Sequence, residues 1–310
     1  MSRILVSLGG NALGVDFDDL VVSVGVIAEP IVGLLKDGHE VVVCHGNGPQ
    51  VGMIKTDIDL GKAGLREGRV MPLSECVAMS QSYIGYHLQN AIENQMVKQG
   101  VQGKAVATVV SRCLVDLDDP GFKNPTKPIG AFFSKEQADE YIAQGKTFIE
   151  DSGRGYREVV ASPIPQTIIE KEAVRELVED GHVVIAGGGG GIPVYIKEGW
   201  TRAVDAVIDK DRTSILLAED TDCDALAILT GVEKVAINFN KPNQCDLDQI
   251  TLAECEQYIG EGQFPAGSML PKIEAAMDFV KSGPNRRTLI TSLDKLVDGL
   301  AGRTGTWVVA

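Results

Sequence analysis

Three glycine-rich segments, each directly after a strand-like apolar run, carry the residue types best suited to bind anions. They span residues 9–11, 45–50 and 187–191, after the runs 4–8, 41–44 and 183–186. Glycine lets a backbone approach an anion closely, and free N–H groups where a strand leads into a helix form a concave anion site. Loops after parallel strands meet at one edge of their sheet. The pattern predicts a polyphosphate and a small anion bound face to face, although each segment alone also suits a tight turn.

Two lysines stand where they could place positive charge beside such an anion. Lys210 lies between Asp209 and Asp211 after an apolar run, which fits either a solvated turn or a cation held by carboxylates. Lys272 follows Pro271 at a predicted helix start. A positive charge there is unfavourable unless an anion lies opposite, so Lys272 is a stronger candidate than an ordinary surface lysine.

A third candidate cation, Lys127, lies in a segment that Pro125 and Pro128 make stiff. The prolines predict that a rigid loop presents this lysine at low entropic cost. The sequence shows no Walker loop, no Gly-x-Ser-x-Gly elbow and no convincing Ser-His-Asp set. Phosphoryl transfer needs none of these, because positioning and cations stabilise its transition state. Lysines, glycine loops and Mg²⁺ would be sufficient for it.

Composition narrows the possible partners. Of the 310 residues, 44% are hydrophobic, and the formal net charge of −14 argues against nucleic acid or an acidic membrane as partner. No run of 18 apolar residues occurs, so no membrane span is expected. The start of the chain does not read as a signal peptide, and the six cysteines form no C-x-x-C pair or zinc spacing. A cytoplasmic location with reduced thiols is therefore expected.

Alternating strands and helices predict an α/β fold around a mainly parallel open sheet, with helices on both faces and right-handed crossovers. Helical spacing indicates a helix over 20–34, which Pro30 is expected to kink or split. One long strand is expected over 104–115. Further helices are expected over 72–98, 170–179, 252–258 and 271–281, and further strands near 226 and over 235–239, 288–290 and 306–309.

The amino-acid composition of the chain changes at Asp116. From there to about Pro165 the sequence is rich in proline and charge, with a helical stretch over 135–144 in its middle. We therefore expect one domain over residues 1–310, with a protruding subdomain over about 116–165 inserted at the edge of its sheet. Such a lobe would share less core with the sheet and could hinge at its two connections.

Several blocks of sequence resemble the carbamate kinases, a branch of the amino acid kinase superfamily. They include LGGNA, NPTKPIG, DSGRGYR, GGGGIPV, AVIDKD and GSMLPKIEAA, and the resemblance spans residues 3 to 309. It implies a three-layer α/β/α sandwich with a protruding subdomain, and a homodimer. It also implies Mg²⁺-dependent phosphate exchange between ATP/ADP and carbamate or carbamoyl phosphate, usually in the ATP-forming direction and within arginine metabolism.

The resemblance also implies roles for individual residues. Those expected to cradle the transferred phosphate are Gly9, Gly10 and Asn11, and those expected to hold the carbamate end are Gly46, Asn47 and Gly48. Lys210 and Lys272 would neutralise phosphate charge, Asp209 would orient the lysines, and Lys127 would reach in from the lobe. Residues expected near the nucleotide base are Thr230, Gly231, Ala266, Gly267, Ser268 and Met269. No protein metal site is expected, so phosphates and water would hold the Mg²⁺.

Two departures from the family pattern bear on the substrate. Related kinases place a lysine where this chain has Ser7, and Lys127 is the natural replacement for that cation. The stretch 13–20 is shorter than usual, and Arg112 replaces a common glutamine. A kinase of another small carboxylic acid, with Arg112 binding its far end, is therefore an alternative. A non-catalytic nucleotide-binding sensor is a second alternative, but it would be expected to lose at least one of the lysines, and all are present.

Overall fold

The computed structural model describes residues 2–14, 16–65, 71–151, 153–265 and 268–310. Its strands, in chain order, are β1 (Arg3–Leu8), β2 (Glu40–His45), β3 (Val106–Thr108), β4 (Arg112–Val115), β5 (Lys127–Phe133), β6 (Phe148–Glu150), β7 (Tyr156–Val160), β8 (Pro165–Ile168), β9 (Val183–Ile185), β10 (Ile192–Lys197), β11 (Trp200–Ala203), β12 (Ala225–Thr230), β13 (Val235–Ile237), β14 (Cys245–Leu247), β15 (Gln249–Thr251), β16 (Arg287–Ser292) and β17 (Thr306–Val309).

The helices, again in chain order, are α1 (Phe17–Lys36), α2 (Gly48–Leu65), α3 (Leu73–Gln99), α4 (Lys135–Ile142), α5 (Lys171–Glu179), α6 (Lys210–Asp220), α7 (Leu252–Gly260), α8 (Leu270–Lys281) and α9 (Leu296–Leu300). Short 3-10 turns cover Gly10–Leu13, Pro120–Phe122, Gly188–Gly190 and Leu293–Lys295. Within the described ranges, no helix is long and apolar enough to span a membrane.

A central sheet of eight strands confirms the predicted mainly parallel arrangement. Its order is β15-β17-β16-β12-β1-β2-β9-β3, and the β16–β17 pair is antiparallel whereas the other neighbours run parallel. Strand β1 lies between β12 and β2, so the carboxyl ends of these three strands adjoin at one edge. Open α/β sheets bind ligands at this edge, which makes it the place to look for the predicted site.

Alternate residues of the central strands enter two separate cores. Leu5 of β1 packs in a core with helices α5, α6 and α8, whereas its neighbours Ile4 and Val6 pack in a core with α1 and α3. These side chains are at most 1% exposed. Fully burying a side chain of this size contributes about 1.5–3 kcal/mol, so each strand is fixed on both faces. The predicted three-layer α/β/α sandwich is confirmed.

Helix α1 runs unbroken through Pro30, so the expectation that the proline splits it is wrong. The carboxylate of Asp16 caps the helix by accepting a hydrogen bond from the Asp19 backbone N–H at 2.9 Å. Its apolar face, which includes Leu20, Ile27 and Ile31, is fully buried. Burial of that face outweighs the roughly 3 kcal/mol that an internal proline costs a helix.

Two other sequence-based element predictions fail. The single strand expected over 104–115 is two strands, because β3 belongs to the central sheet and β4 to a second sheet of order β11-β10-β4-β8. Between them, the Ser111 N–H donates to Gln81 Oε1 at 2.9 Å and its hydroxyl accepts from the Gly187 N–H at 2.9 Å, which turns the chain away. Helix α2, which begins at Gly48, is also missing from the prediction, because its glycines weaken the helical signal.

Inside the predicted subdomain, strands β5, β7 and β6 form a separate three-stranded antiparallel sheet, and α4 packs beside it. We call this sheet and α4 the lobe. Phe133, Tyr141 and Phe148 form its own aromatic cluster, with ring centroids 5.5–5.8 Å apart. Lys127 is the first residue of β5, paired with Val160, so the expected rigid loop is instead the start of a strand. The boundaries 116–165 remain a prediction.

Candidate active site

A cavity of about 1190 Å³ lies between the carboxyl edge of the central sheet and the lobe. Its sheet side includes Gly9 after β1, Gly46 after β2, and Thr230 and Gly231 at the end of β12. Its other side includes Lys127 and further residues of the lobe. The chain thus brings together, at one edge, segments that are hundreds of residues apart in sequence.

The first glycine segment forms a tight turn at the end of β1. Gly10 and Asn11 lie in a 3-10 helix, and the Ala12 N–H donates to the Gly9 carbonyl at 3.0 Å. Gly9 has an ordinary φ of −62°, and a Cβ there would lie 3.6 Å from the Leu229 carbonyl oxygen. Neither strain nor protein packing therefore requires glycine at this position. Open space beside the backbone is what a phosphate needs.

The second segment begins at a buried histidine and ends in a helix. Asn47 is 4% exposed, and its side-chain amide donates to Ser80 Oγ at 2.8 Å. His45 is buried, and its Nδ1 lies 2.9 Å from the Gly46 carbonyl oxygen. Burial lowers the pKa of His45 to about 4, against the opposing effect of the hydrogen bond to Gly46, so the ring is neutral near neutral pH. This loop is held by side chains on β2 and α3.

The five-glycine run 187–191 differs from the anion loop that the sequence suggests. Four of these glycines have positive φ, and the whole run is buried against protein. A Cβ at Gly188 would lie 2.5 Å from His45 Nε2, and one at Gly189 would lie 2.2 Å from Asn47 Nδ2. Gly189 is the member of the run that reaches the cavity. The run therefore makes room for His45 and Asn47 rather than surrounding a ligand.

Lys127, Asp209 and Lys210 form a charge cluster on the cavity wall. Asp209 caps α6, and its carboxylate accepts from the Asp211 N–H at 2.9 Å and from Lys127 Nζ at 2.5 Å. Burial by itself raises the pKa of Asp209, but the Lys127 charge and hydrogen bond, the Asp211 N–H and the Lys210 charge outweigh it and hold that pKa at about 2. The carboxylate is therefore ionised and ties the lobe lysine to the sheet edge.

Lys210 contacts Ser7, the residue that stands where related kinases have a lysine. Its Nζ donates to Ser7 Oγ at 3.1 Å and also bonds Asp211. Ser7 is fully buried, and its hydroxyl lies 2.9 Å from Ser214 Oγ. The lysine in contact with Ser7 is thus Lys210, whereas Lys127 joins the cluster through Asp209. That Lys127 replaces the missing cation stays a prediction, and the structure adds Lys210 as a second cation near that position.

Lys272 faces the same cavity from the first turn of α8. Its Nζ donates to the Ser268 carbonyl at 2.9 Å. Burial lowers the pKa of Lys272, and the lysines Lys210 and Lys127 add to that effect while Asp211 opposes it. A half-buried cation with nearby positive charges is stabilised by an anion between them.

The remaining predicted residues are only partly at the cavity. Thr230 and Gly231 line it, whereas Ser268 and Met269 are not among the lining residues of the described chain, and Met269 instead packs against the core. Ala266 and Gly267 lie outside the described residues. Arg112 is not in the lining either.

Arg112 is engaged in a structural ion pair. Its Nε donates to Glu170 Oε1 at 2.6 Å, and its backbone N–H donates to the other oxygen of Glu170 at 2.7 Å. This pair fixes the start of β4 beside α5. The suggestion that Arg112 binds the far end of a larger substrate is therefore wrong.

The lobe residues of the cavity lining that sequence reasoning missed include Phe132, Arg154 and Arg157. The DSGRGYR block contains both arginines, but its spacing alone carries no signal that they point toward the sheet edge. Only the pairing of β5 with β7 brings them to the cavity.

The cavity offers little to a metal ion from the protein itself. In the part of the chain that the structure describes, no group of three or more histidines, cysteines or carboxylates is suitable for a metal. Asp209 and Asp211 face the cavity, and each is already paired with a lysine. This donor set fits an ion that is held mainly by phosphate oxygens and water.

Comparison with known proteins gives the context of this site. A model of the amino acid kinase family matches residues 2–292. The chain is 51% identical over 304 residues to the carbamate kinase-like protein YqeA of Escherichia coli strain K12, covering 98% of both chains. It is 48% identical over 309 residues to the carbamate kinase of Staphylococcus haemolyticus, covering 99% of both. A solved structure, carbamate kinase from Giardia lamblia bound to AMP-PNP, has a TM-score of 0.89 and 39% identity, covering 99% of this chain and 98% of that one.

Proposed function

The chain belongs to the amino acid kinase family, and we propose that it transfers phosphate between ATP/ADP and carbamate, forming ATP from ADP and carbamoyl phosphate in the cell. The observation that carries this proposal is the cluster of Lys127, Lys210 and Lys272 around one cavity, opposite the turns after β1 and β2. About half of the residues are identical, over nearly the whole length, to those of proteins named carbamate kinase or carbamate kinase-like.

In this proposal the sheet edge binds the reacting groups. The turn of Gly9, Gly10 and Asn11 offers backbone N–H groups to the transferred phosphate, and the segment Gly46, Asn47 and Gly48 holds the carbamate end. The reaction needs the attacking and leaving oxygens roughly in line on the phosphorus. Two backbone loops on neighbouring parallel strands suit that geometry, because β1 and β2 are paired residue by residue up to Leu8 and His45.

The lysines stabilise the charge that spreads over the phosphoryl oxygens in the transition state. Lys210 is held by Ser7 and Asp211, and Lys127 is held by Asp209, so both ammonium groups are oriented before the substrate binds. Preorganised charges of this kind are commonly worth several kcal/mol of barrier lowering. Mg²⁺, when bound through the phosphates and water, would supply further neutralisation of phosphate charge.

The nucleotide lies on the β12 side of the cavity in this proposal, with its base near Thr230, Gly231, Ala266, Gly267, Ser268 and Met269. Lys272, at the first turn of α8, would then face the nucleotide phosphates. A neighbour of the same family was solved with the ATP analogue AMP-PNP, which supports a nucleotide site on this fold. Neither alternative function gains support, since Arg112 is paired elsewhere and none of the lysines has been lost.

We propose further that the chain acts as a cytoplasmic homodimer in arginine metabolism. Phe17 of α1 and Tyr86 of α3 are more than half exposed, and both rings pack edge-on against His87, at 5.7 and 4.8 Å between centroids. An exposed aromatic patch that joins two helices suits contact with a second copy. Light scattering on the purified protein tests the homodimer, and a monomer at micromolar concentration would exclude the homodimer.

A coupled assay tests the proposed reaction directly. The protein is mixed with ADP, carbamoyl phosphate and Mg²⁺, and ATP is measured with hexokinase and glucose-6-phosphate dehydrogenase. We expect ATP formation in this assay. Metal dependence is tested without the coupling enzymes, because hexokinase itself needs Mg²⁺: ATP measured by chromatography should be absent when EDTA removes the metal. Folded protein that gives no more ATP than the enzyme-free control would refute the carbamate kinase proposal.

A further inference from the structure

The lobe carries a pair of arginines on the cavity wall whose role the proposed mechanism leaves open. Arg154 lies in the turn between β6 and β7, and Arg157 lies on β7 itself. Both line the cavity. Both guanidinium groups also contact the Asp151 carboxylate, at 3.2 Å and 3.3 Å respectively. One carboxylate thus contacts two guanidinium groups.

The two arginines share an aromatic platform. The guanidinium carbons of Arg154 and Arg157 lie 4.8 Å and 5.2 Å from the centroid of the Phe132 ring. The register of the β5–β7 pair shifts between Ile129 and Phe133, and Phe132 lies in this irregular stretch. A break in regular pairing can re-aim side chains, and here the aromatic ring lies beside both guanidinium groups. Such stacking limits the motion of the guanidinium planes.

Arg157 has hydrogen-bonding capacity that the protein does not use. Its side chain is only 18% exposed, yet its Nε is buried without a hydrogen-bond partner. A buried donor without an acceptor is unfavourable, and more so when it carries charge. Guanidinium presents its N–H groups as a flat fork that matches the two oxygens of a phosphate or carboxylate. Arg157 is therefore suited to an oxyanion that enters the cavity.

The position of the lobe indicates which substrate carries that oxyanion. The lobe contacts α2 closely, because a Cβ at Gly52 would lie 2.3 Å from the Gly130 Cα. Helix α2 starts at Gly48, directly after the loop that follows β2. The lobe thus adjoins the β2 side of the cavity through α2, whereas Thr230 and Gly231 lie at the end of β12. The small acid, rather than the nucleotide, is expected on the β2 side.

We propose that Arg157, supported by Arg154 on the Phe132 ring, binds the oxyanion of the non-nucleotide substrate, a small acyl phosphate. This assignment rests on the proposed function for the identity of the substrate, but not for the existence of the anion site. Asp151 holds both guanidinium groups in place, and Arg157 bonds the substrate through guanidinium N–H groups that Asp151 does not occupy.

The test compares three variants of the full-length protein. Arg157→Gln removes the charge, and Arg157→Lys keeps the charge but removes the planar pair of N–H donors. Lys146→Gln is the matched control. Lys146 is also in the lobe and also paired with a carboxylate, that of Glu158 at 2.9 Å, but it does not line the cavity. The measurements are KM for carbamoyl phosphate, the affinity for ADP by calorimetry, and the affinity for inorganic phosphate by calorimetry.

We expect Arg157→Gln to raise KM for carbamoyl phosphate by about tenfold or more, since a charge-assisted hydrogen bond is lost, while ADP affinity stays within about twofold. Arg157→Lys should recover only part of the loss, and Lys146→Gln should match the wild type. A KM for Arg157→Gln within about twofold of wild type, or an equal loss in Lys146→Gln, would overturn the assignment. An equal loss of ADP affinity would place Arg157 on the nucleotide and overturn it too.

Failure of the proposed function is distinguishable from failure of this assignment. If the wild type forms no ATP, the proposed reaction is wrong, and inorganic phosphate alone then probes the site. Weaker phosphate binding by Arg157→Gln, with Lys146→Gln unchanged, would still support an oxyanion site on the lobe. Equal phosphate affinity in the wild type, Arg157→Gln and Lys146→Gln would overturn the oxyanion site.

Discussion

The sheet edge and the lobe bring cations to the same cavity in different ways. At the sheet edge, Lys210 follows a segment, 206–208, that is at most 4% exposed, so the core fixes the backbone that carries the charge. In the lobe, Lys127 and Arg157 lie on short strands of a three-stranded sheet, and Arg154 lies in a turn between two of them. Few of the described residues of this sheet are fully buried. The edge is therefore fixed by the two large cores, whereas the lobe is held by a smaller buried cluster and an ion pair.

Several contacts connect these regions. Ile129 of the lobe lies in a small buried cluster with Val51 and Val207, and Val160 packs against it. Gly52 and Gly130 bring the backbones of α2 and β5 together, and the Lys127–Asp209 ion pair bridges the cavity. Few buried contacts mean a lower free energy of local opening. We therefore expect mutations at the edge to remove catalysis, and mutations in the lobe to alter substrate capture and assembly of the charge cluster.

The largest effects are expected from the edge lysines. Lys210→Ala and Lys272→Ala should each leave a folded protein whose turnover falls by about 100-fold or more, because each removes a positioned charge from the transferred phosphate. Turnover in the coupled assay and circular dichroism provide the measurements. Lys171→Ala, which breaks a peripheral pair with Asp220, is the control and should behave as wild type. Near wild-type turnover in a lysine variant would make that residue an ordinary surface group.

A smaller and different effect is expected from the lobe lysine. Lys127→Ala should lower turnover by roughly 10- to 100-fold while ADP affinity changes by less than about threefold, because the nucleotide binds mainly to the sheet domain. Calorimetry with ADP and the coupled assay separate the two quantities. Lys135→Ala, which removes an exposed lobe pair with Asp139, is the control. If Lys127→Ala loses ADP affinity and turnover equally, the division between edge and lobe does not hold.

The sequence predicts the edge well because each of its signals is local. An apolar run followed by glycine marks a strand that ends at a turn, and parallel pairing then brings Gly9, Gly46 and Thr230 to one edge without further information. Lys272 is found from its place at a predicted helix start, which the structure confirms. Lys210 is found from its place between two aspartates, and the structure adds that it begins α6. Periodicity likewise predicts the buried face of α1 correctly.

The lobe and the glycine run could not be predicted in the same way. Arg157 reaches the cavity only through the pairing of β5 with β7 and the register shift in that pair, which no local pattern encodes. The run 187–191 has the composition of an anion loop, but Gly188 and Gly189 are required by His45 and Asn47, which lie more than 100 residues away. No local sequence pattern indicates that Ser7 contacts Lys210, which lies 203 residues away. Long-range contacts decide each of these cases.

A loss of stability at the edge is expected from Gly189→Ala. The residue has φ of +63°, and the added Cβ would lie 2.2 Å from Asn47 Nδ2, so backbone strain and overpacking add. We expect about 2–4 kcal/mol of destabilisation in urea unfolding, together with lower turnover as Asn47 is displaced. Gly38→Ala is the matched control, since its φ is +82° but no atom lies within 4 Å of the added Cβ. Equal losses in both variants would mean that strain alone matters and that Asn47 is not disturbed.

The smallest effect is a pH dependence of stability that arises at the edge, under the second glycine loop. Burial lowers the pKa of His45 to about 4 in the folded protein, below its ordinary value of 6.5. The unfolded chain therefore binds the proton first, so the stabilisation from neutral His45 is complete above about pH 6.5 and is lost as the pH falls toward about 4. One proton sets an upper slope of about 1.4 kcal/mol per pH unit. Urea unfolding at about pH 7 and about pH 5.5 should show a weaker pH dependence for His45→Gln than for wild type. Identical slopes in the two proteins would mean that His45 is not held neutral by burial, and that another group titrates in this window.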